Sequence, residues 1–369
     1  MTVSTGSLKR TALYEEHVRS GARLVPYAGF EMPVQYAGIL AEHDAVRNRA
    51  GLFDLSHMGQ FALFGDRVAE WADTLAINAV ATMKPMQARY NIFCNEGGGT
   101  HDDTIFYRLA DRWLLVVNAA NADKMWAHLN RHVPSAGVRL ENRDGERALV
   151  AIQGPASVAM LQPHVDVDLA AMKYYFCAQG SVEGVPALIA RTGYTGEDGF
   201  ELFVDAERAP AIWNALLSEH ADEGLRPCGL GARDVLRLEG GMPLYGHELT
   251  EEISPVQAGQ TWALKMSKPQ FLGREALAAQ LAAGDFTRIA GLVMEGRAPA
   301  REGYSVWLDG RLAGEIRSGS PAPSLGNRNV ATALVSREAA TAGTALEVEI
   351  RGTKHPATVV ALPFYKRPK

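Results

Sequence analysis

Hydrophobic positions fall into two regimes along the chain. In the first, residues 60–64 form an apolar run that meets Gly65, and residues 67–75 space their apolar side chains as a helix does. Residues 104–109 and 113–117 then read as strands, and 122–129 as a second helix. About ninety residues further on the same order returns. Residues 148–152 meet Gly154 and Pro155, a helix runs to about Leu161, strands follow at 187–191 and 200–204, and a helix over 208–217 closes the unit. Strand, helix, strand, strand, helix, met twice, predicts two related units of antiparallel sheet with helices on one face. After a helix over 274–281 the pattern changes. Runs at 289–294, 305–308, 312–316, 331–335, 346–350 and 357–362 are separated by Gly, Pro, Ser and Asn, which predicts a small all-β barrel or sandwich. The predicted class is α+β, with the two intertwined α+β units in residues 1–284 and a C-terminal β-barrel domain in 285–369.

Composition narrows the function. A chain of 369 residues that is 47% hydrophobic and 21% charged can bury sizeable cores and is neither fibrous nor disordered. Cys94, Cys177 and Cys228 are odd in number and include no Cys-x-x-Cys pair, which argues against a disulfide framework, a zinc ribbon or a redox dithiol. A reducing compartment fits best. The N-terminus carries no apolar stretch behind a basic cluster, and runs such as 113–117 are far too short to span a bilayer, so the expectation is a soluble, cytoplasmic protein with no membrane partner. A net charge of −5 argues against nucleic acid and turns attention to small molecules or proteins.

Common nucleotide and metal signatures are missing. Gly229 and Gly231 match the first two glycines of a dinucleotide loop, but Asp234 stands where the third belongs and no apolar strand precedes them. His128 and His132 stand one helical turn apart with no carboxylate or cysteine beside them, and are read as an exposed helix face. Three other segments carry chemistry. In Glu96-Gly97-Gly98-Gly99-Thr100-His101-Asp102-Asp103, strand alternation sends the two aspartates to opposite faces and leaves Asp103 on the face of Ile105 and Tyr107. A carboxylate there needs partners or a ligand; a solvated hairpin end fits the same residues. Gly193-Tyr194-Thr195-Gly196-Glu197-Asp198-Gly199 forms a loop that lets backbone approach a ligand with Tyr194 ready to stack, or simply an acidic hairpin turn. A helix from about Gly231 places Arg233 and Arg237 on one face near its positive end, which suits an anionic or carbonyl-rich ligand or an ion-pair cluster.

In this order the segments resemble the aminomethyltransferase family, the T-protein of the glycine cleavage system, nearly end to end. Pro26-Tyr27-Ala28-Gly29-Phe30-Glu31-Met32-Pro33 is similar to the family's N-terminal signature, and Gly51-Leu52-Phe53-Asp54-Leu55-Ser56-His57-Met58-Gly59 follows it. Val116-Val117-Asn118-Ala119-Ala120-Asn121, Met242-Pro243-Leu244-Tyr245-Gly246 and Leu362-Pro363-Phe364-Tyr365-Lys366 complete the set. The resemblance implies a folate-binding region of two α+β units and a C-terminal barrel around a central channel. It also implies transfer of a methylene carbon from aminomethylated, lipoylated H-protein to tetrahydrofolate as cosubstrate, releasing ammonia and leaving 5,10-methylenetetrahydrofolate and the dihydrolipoyl carrier. H-protein is then a transient partner, and no metal is called for.

By the same resemblance Asp103 is the catalytic carboxylate, with Asp102 as the fallback. Glu201 matches the pterin-binding glutamate and Arg233 its partner arginine; Tyr90 and Tyr194 flank the folate rings. Met58, Tyr107, Asn118 and Tyr365 fall on further pocket positions, where core packing or a helix cap are the plainer readings of the first three. His101 and Thr104 depart from the family pattern around the aspartates, and His101 is expected to face away from folate. A folate-dependent demethylase of the same fold is the alternative enzyme. A non-catalytic folate-binding regulatory protein is disfavoured, because its Lys-Gly-Cys motif is missing.

Overall fold

The computed structural model describes residues 7–368; the first six residues, part of the N-terminal stretch considered above, lie outside the described residues. The chain opens with α1 (Tyr14–Arg19), a hairpin of β1 (Arg23–Tyr27) and β2 (Phe30–Gln35), α2 (Ile39–Asn48) and β3 (Ala50–Asp54). The first unit is β4 (Gly59–Phe64), α3 (Val68–Asp73), β5 (Ala88–Cys94), β6 (Thr100–Arg108), β7 (Trp113–Val117) and α4 (Ala122–His132), followed by β8 (Arg139–Asn142). The second is β9 (Arg147–Gln153), α5 (Ser157–Leu161), β10 (Cys177–Val182), β11 (Val185–Ala190), β12 (Gly199–Asp205) and α6 (Ala209–Glu219), followed by β13 (Leu225–Pro227) and α7 (Leu230–Glu239). Helix α8 (Arg274–Ala283) leads to β14 (Arg288–Met294), β15 (Ser305–Leu308), β16 (Arg311–Ala322), β17 (Arg328–Val335), β18 (Ala345–Ile350) and β19 (Thr353–Val360). These last six close into a barrel in the order β14-β17-β16-β15-β18-β19.

The repeat in the sequence is a repeat of topology. One sheet runs β5-β6-β7-β4-β8 and the other β10-β11-β12-β9-β3-β13, so the first four strands correspond one to one. Gly65 and Gly154 end the equivalent strands β4 and β9 with φ of 121° and 139°. Only glycine fits either place, because a Cβ would come within 2.2 Å of the Gly137 carbonyl oxygen or 2.4 Å of that of Arg49. The halves are joined at equivalent positions: Ala88 N–H donates to the Tyr175 carbonyl (2.8 Å), and Cys177 N–H to that of Met86 (2.9 Å). Met86 and Tyr175 both have positive φ, 58° and 61°. One expectation needs correcting. The second sheet is not wholly antiparallel, since β13 runs parallel to β3; the chain reaches that edge only after crossing over in α6.

Strand alternation builds four layers. On β12, Phe200, Leu202 and Val204 join a core with Ile212, Trp213 and Leu216 of α6, while Phe203 points the other way. On β6, Phe106 packs beneath α3 and α4, while Tyr107 points toward Phe203, the two rings edge-on at 5.3 Å. Each sheet thus carries helices on one face and meets the other sheet on its second. Helix α4 departs from the reading above. His128 is buried between Phe93 and His101, with ring centroids 6.0 and 4.6 Å away, and only part of the helix faces water.

The barrel is clamped to the rest by Arg237. Helix α7 starts at Leu230 with Gly229 as its N-cap, and the Gly229 N–H donates to the buried Glu42 carboxylate (2.9 Å). Arg237 lies in the last turn of this ten-residue helix, not near its positive end. It is buried and donates to Glu248 (3.0 Å), to the Met242 carbonyl (3.3 Å) and to Ser318 of β16 (2.8 Å). Burial works against both charges, yet the Glu248 carboxylate raises the Arg237 pKa and Arg237 lowers that of Glu248. Arg237→Ala leaves Glu248 buried without its partner and is expected to cost about 3–5 kcal/mol, measured by denaturant unfolding. A loss below about 1 kcal/mol would show that the clamp contributes little.

Candidate functional site

Between the two sheets lies a cavity of about 930 Å³ including its open mouth. Leu55, Ile105, Val116, Leu149 and Tyr175 wall it with apolar surface. Of the side chains assigned to the site from the sequence, Asp103, Glu201, Arg233, Tyr194, Tyr90, Met58, Tyr107 and Asn118 line it, and the fallback Asp102 and Tyr365 do not.

Each polar group arrives by a local rule. Residues 103, 105 and 107 of β6 share one face, so the aspartate that follows the glycine turn enters the inter-sheet space with Ile105 and Tyr107. Asp102 points into the opposite layer and is wholly buried; it accepts from the Asn118 N–H (3.1 Å), the Asn118 amide (2.8 Å) and the Asn121 amide (2.6 Å). Asn118 Nδ2 also lies 2.7 Å from Asp103 Oδ1, so one amide ties the two carboxylates together. Tyr90 O–H donates to the other Asp103 oxygen at 3.1 Å. Burial raises both aspartates above the ordinary carboxylate range, and the Asp103 charge raises Asp102 further. His101 stays out of this network. The register of β5 on β6 shifts there, pairing Phe93 with Asp102 and Cys94 with Thr100. His101 is the bulged residue, and its Nδ1 lies 3.0 Å from Glu251.

Glu201 comes from the β12 face that also carries Phe203. It is buried, and Tyr107 O–H (3.1 Å) and Thr192 O–H both donate to its Oε2. None of the hydrogen bonds among the described residues uses Oε1. Burial raises this carboxyl too, with the two hydroxyls and Arg233 opposing. Arg233, in the first turn of α7, lays its guanidinium over the Tyr194 ring at 4.5 Å, and among the described residues no carboxylate lies within ion-pair reach of it. Tyr194 is itself fixed by a hydrogen bond to the Pro243 carbonyl.

Tyr365 does not line the cavity either. Its backbone N–H donates to the Glu239 carbonyl (2.8 Å) and its ring covers the Arg47 guanidinium at 4.0 Å. Arg47 in turn binds Glu197 (2.9 Å) and Glu239 (2.8 Å), so the C-terminal motif closes an ionic latch behind α7. The sequence reading also missed Trp262. That side chain is 59% exposed, yet its ring stacks on Tyr90 at 5.5 Å and its N–H donates to Gln260 (2.9 Å) at the mouth. A lone tryptophan in the turn-rich stretch between α7 and α8 was the available signal. Tyr245, beside it, is held by Lys124 (2.7 Å).

The assembled site offers two raised carboxyls, a guanidinium without an ion-pair partner among the described residues, and stacked aromatic rings in a largely apolar cleft. Such a set suits a flat heterocycle with adjacent N–H groups and a carbonyl, near a centre that develops positive charge. Comparisons with known proteins bear on which one. Residues 13–268 match the family described as the GCVT N-terminal domain, and residues 288–366 match the glycine cleavage T-protein C-terminal barrel domain. The chain is 47% identical over 363 residues to the aminomethyltransferase of Deinococcus deserti, covering 98% of each. Against that of Streptomyces coelicolor it is 48% identical over 375 residues, covering all of both. The crystal structure of glycine cleavage system aminomethyltransferase T from Bartonella henselae superposes with a TM-score of 0.91 at 35% identity, over 98% of this chain and 99% of that one. The chain therefore belongs to the aminomethyltransferase family, the T-proteins of the glycine cleavage system.

Proposed function

We propose that the inter-sheet cavity is the folate site and reaction centre of a glycine cleavage aminomethyltransferase. The chain moves the methylene carbon of an aminomethyl group on the lipoyl arm of H-protein to tetrahydrofolate, leaving 5,10-methylenetetrahydrofolate, ammonia and the dihydrolipoyl carrier. What carries the assignment of roles is the convergence of Asp103, Glu201, Arg233 and Tyr194 from separate parts of the chain on one cavity. The Glu201 carboxylate suits the adjacent N3–H and 2-amino groups of a pterin, and the Arg233 guanidinium suits its carbonyl. Tyr90, Tyr194 and Met58 supply flanking surface, while Tyr107 orients Glu201 through its hydroxyl.

Asp103 takes the catalytic role. As ammonia leaves, positive charge builds on the carbon still bonded to the carrier sulfur, and a fixed carboxylate in a water-poor cleft stabilises that charge until N5 attacks, the C–S bond breaks to free the dihydrolipoyl thiol, and N10 closes the methylene bridge with loss of a proton. Asn118 and Tyr90 hold the carboxylate in place, so little reorganisation accompanies the step. We take residues 1–284 as the folate-binding region and 285–369 as the barrel domain. Supporting that division, α8 stops at a left-handed Gly284 (φ 67°) just before β14. We also propose lipoylated H-protein as a transient partner, since the carrier must leave to be recharged, and a cytoplasmic enzyme. No helix among the described residues is long and apolar enough to cross a membrane.

The decisive assay is tetrahydrofolate-dependent ammonia release from aminomethylated H-protein. Asp103→Asn is expected to lower kcat by about 10²- to 10⁴-fold with folate binding retained; a variant that turns over normally would remove Asp103 from the chemistry. Because burial raises the Asp103 pKa, and protonation removes the needed charge, activity should fall as pH drops through a value above the ordinary aspartate one near 3.9. That acid limb of the kcat profile should vanish in Asp103→Asn. Glu201→Gln should instead raise KM for tetrahydrofolate by about ten- to a hundredfold with a smaller change in kcat, and steady-state kinetics would separate the two roles.

A further inference from the structure

On the helix-covered side of the second sheet, away from the cavity, two buried histidines face each other. His164 ends the short turn after α5, and His220 caps the C-terminus of α6. Their Nε2 atoms are 2.9 Å apart, and the side chains are only 2% and 5% exposed. Each ring is held from behind by a carboxylate: His164 Nδ1 lies 2.5 Å from Glu183, and His220 Nδ1 lies 3.0 Å from Glu223. Glu183 is fixed as well, because its own N–H donates to the His164 carbonyl (2.9 Å) in the turn between β10 and β11. A third carboxylate, Glu219, reaches the same point, with Oε2 3.8 Å from His164 Nε2. All three candidate ligand atoms lie within 4.8 Å of one another.

The geometry has a chemical consequence. An imidazole Nδ1 facing a carboxylate is the N–H donor, which leaves the lone pair of a neutral ring on Nε2. Here that rule applies to both rings, so two lone pairs converge at hydrogen-bond distance with no proton from either ring between them. Neutral histidines would repel in this arrangement. A cation between them removes the conflict, and the three surrounding glutamates supply the opposite charge.

We propose that His164, His220 and Glu219 form a binding site for a zinc-type transition-metal dication, with Glu183 and Glu223 orienting the two histidines. Two imidazoles and one carboxylate are ligands such ions favour, whereas magnesium and calcium favour all-oxygen sites. The carboxylate-behind-histidine arrangement is the usual outer shell of a zinc site. Tetrahedral zinc with bonds of about 2.0–2.1 Å needs ligand nitrogens roughly 3.3 Å apart, so the rings have to part by only a few tenths of an ångström. Glu219, half-exposed at the surface, gives the ion a way in and leaves a fourth position for water. The metal would pin three segments together, the turn after α5, the β10–β11 hairpin and the end of α6. None of these residues lines the cavity, so its role is structural and separate from methylene transfer.

The test uses the full chain without a histidine tag, stripped with a chelator and titrated with Zn²⁺ by calorimetry, with Co²⁺ as a spectroscopic probe. The three cysteines are all buried and do not compete. One equivalent of Zn²⁺ should bind, Tm should rise by roughly 2–4 °C at a hundredfold excess over Kd, and Co²⁺ should give the visible bands of a low-coordinate complex. Glu219→Gln, at an exposed position that folding tolerates, should weaken binding at least tenfold, and Glu183→Gln or Glu223→Gln by about ten- to a hundredfold. His164→Gln/His220→Gln should abolish it, while folate-dependent ammonia release stays the same with and without metal. Absence of stoichiometric binding by the native chain would overturn the proposal in favour of a proton shared by the two rings. So would binding that survives unchanged in Glu219→Gln or in the double variant.

Discussion

A sheet with helices on one face must bury its other face, and here two such sheets bury theirs against each other. Everything at the site depends on that pairing. Tyr107 and Phe203 meet across it, and two backbone hydrogen bonds exchanged between equivalent positions of the repeats, at Met86 and Tyr175, set how the halves align. Beside those contacts a cavity remains between the facing layers. Residues that continue the inward alternation of β6 and β12 then project into it, whether or not they are apolar.

That placement is costly for carboxylates, and the protein offsets the cost in different ways at different sites. Arg237 with Glu248, and Arg47 with Glu197 and Glu239, are closed ion clusters in which each charge is held by its neighbours. They fasten the barrel and the C-terminal segment to α7. Asp103 and Glu201 are held by neutral donors instead: an amide and a phenol for the first, a phenol and a threonine hydroxyl for the second. Burial raises both carboxyls and these donors only partly oppose it, while Arg233 rests on an aromatic ring and, among the described residues, makes no ion pair. The closed clusters stabilise the fold, and the incompletely compensated groups are available to a ligand.

Much of this was legible in the chain. The two repeats, the barrel and the face of β6 that carries Asp103 follow from periodicities of two and of 3.6, which are local properties. Strands β5 and β10 were not legible, since Cys177–Val182 holds glycine, glutamine and serine and owes its place to pairing with β11. His128 misled for a similar reason. Helical spacing puts it in line with His132, but burial against Phe93 and His101 comes from two strands, β5 and β6, twenty-seven residues or more away in the chain.

Arg233 and Arg237 mark the division most sharply. Sequence by itself determined that both stand on one side of a helix starting near Gly231, and that aspartates, a glutamate and tyrosines lie in segments able to enter a common layer. Only the tertiary structure decided that the first arginine faces the cavity over Tyr194 while the second is buried against Glu248 and Ser318 of the barrel. Tertiary packing likewise turned Tyr365 onto Arg47, placed Trp262 at the mouth and brought His164 to His220. Side-chain direction along an element is a short-range consequence of backbone geometry, but the neighbour that a side chain meets is set by long-range packing, which no local spacing encodes.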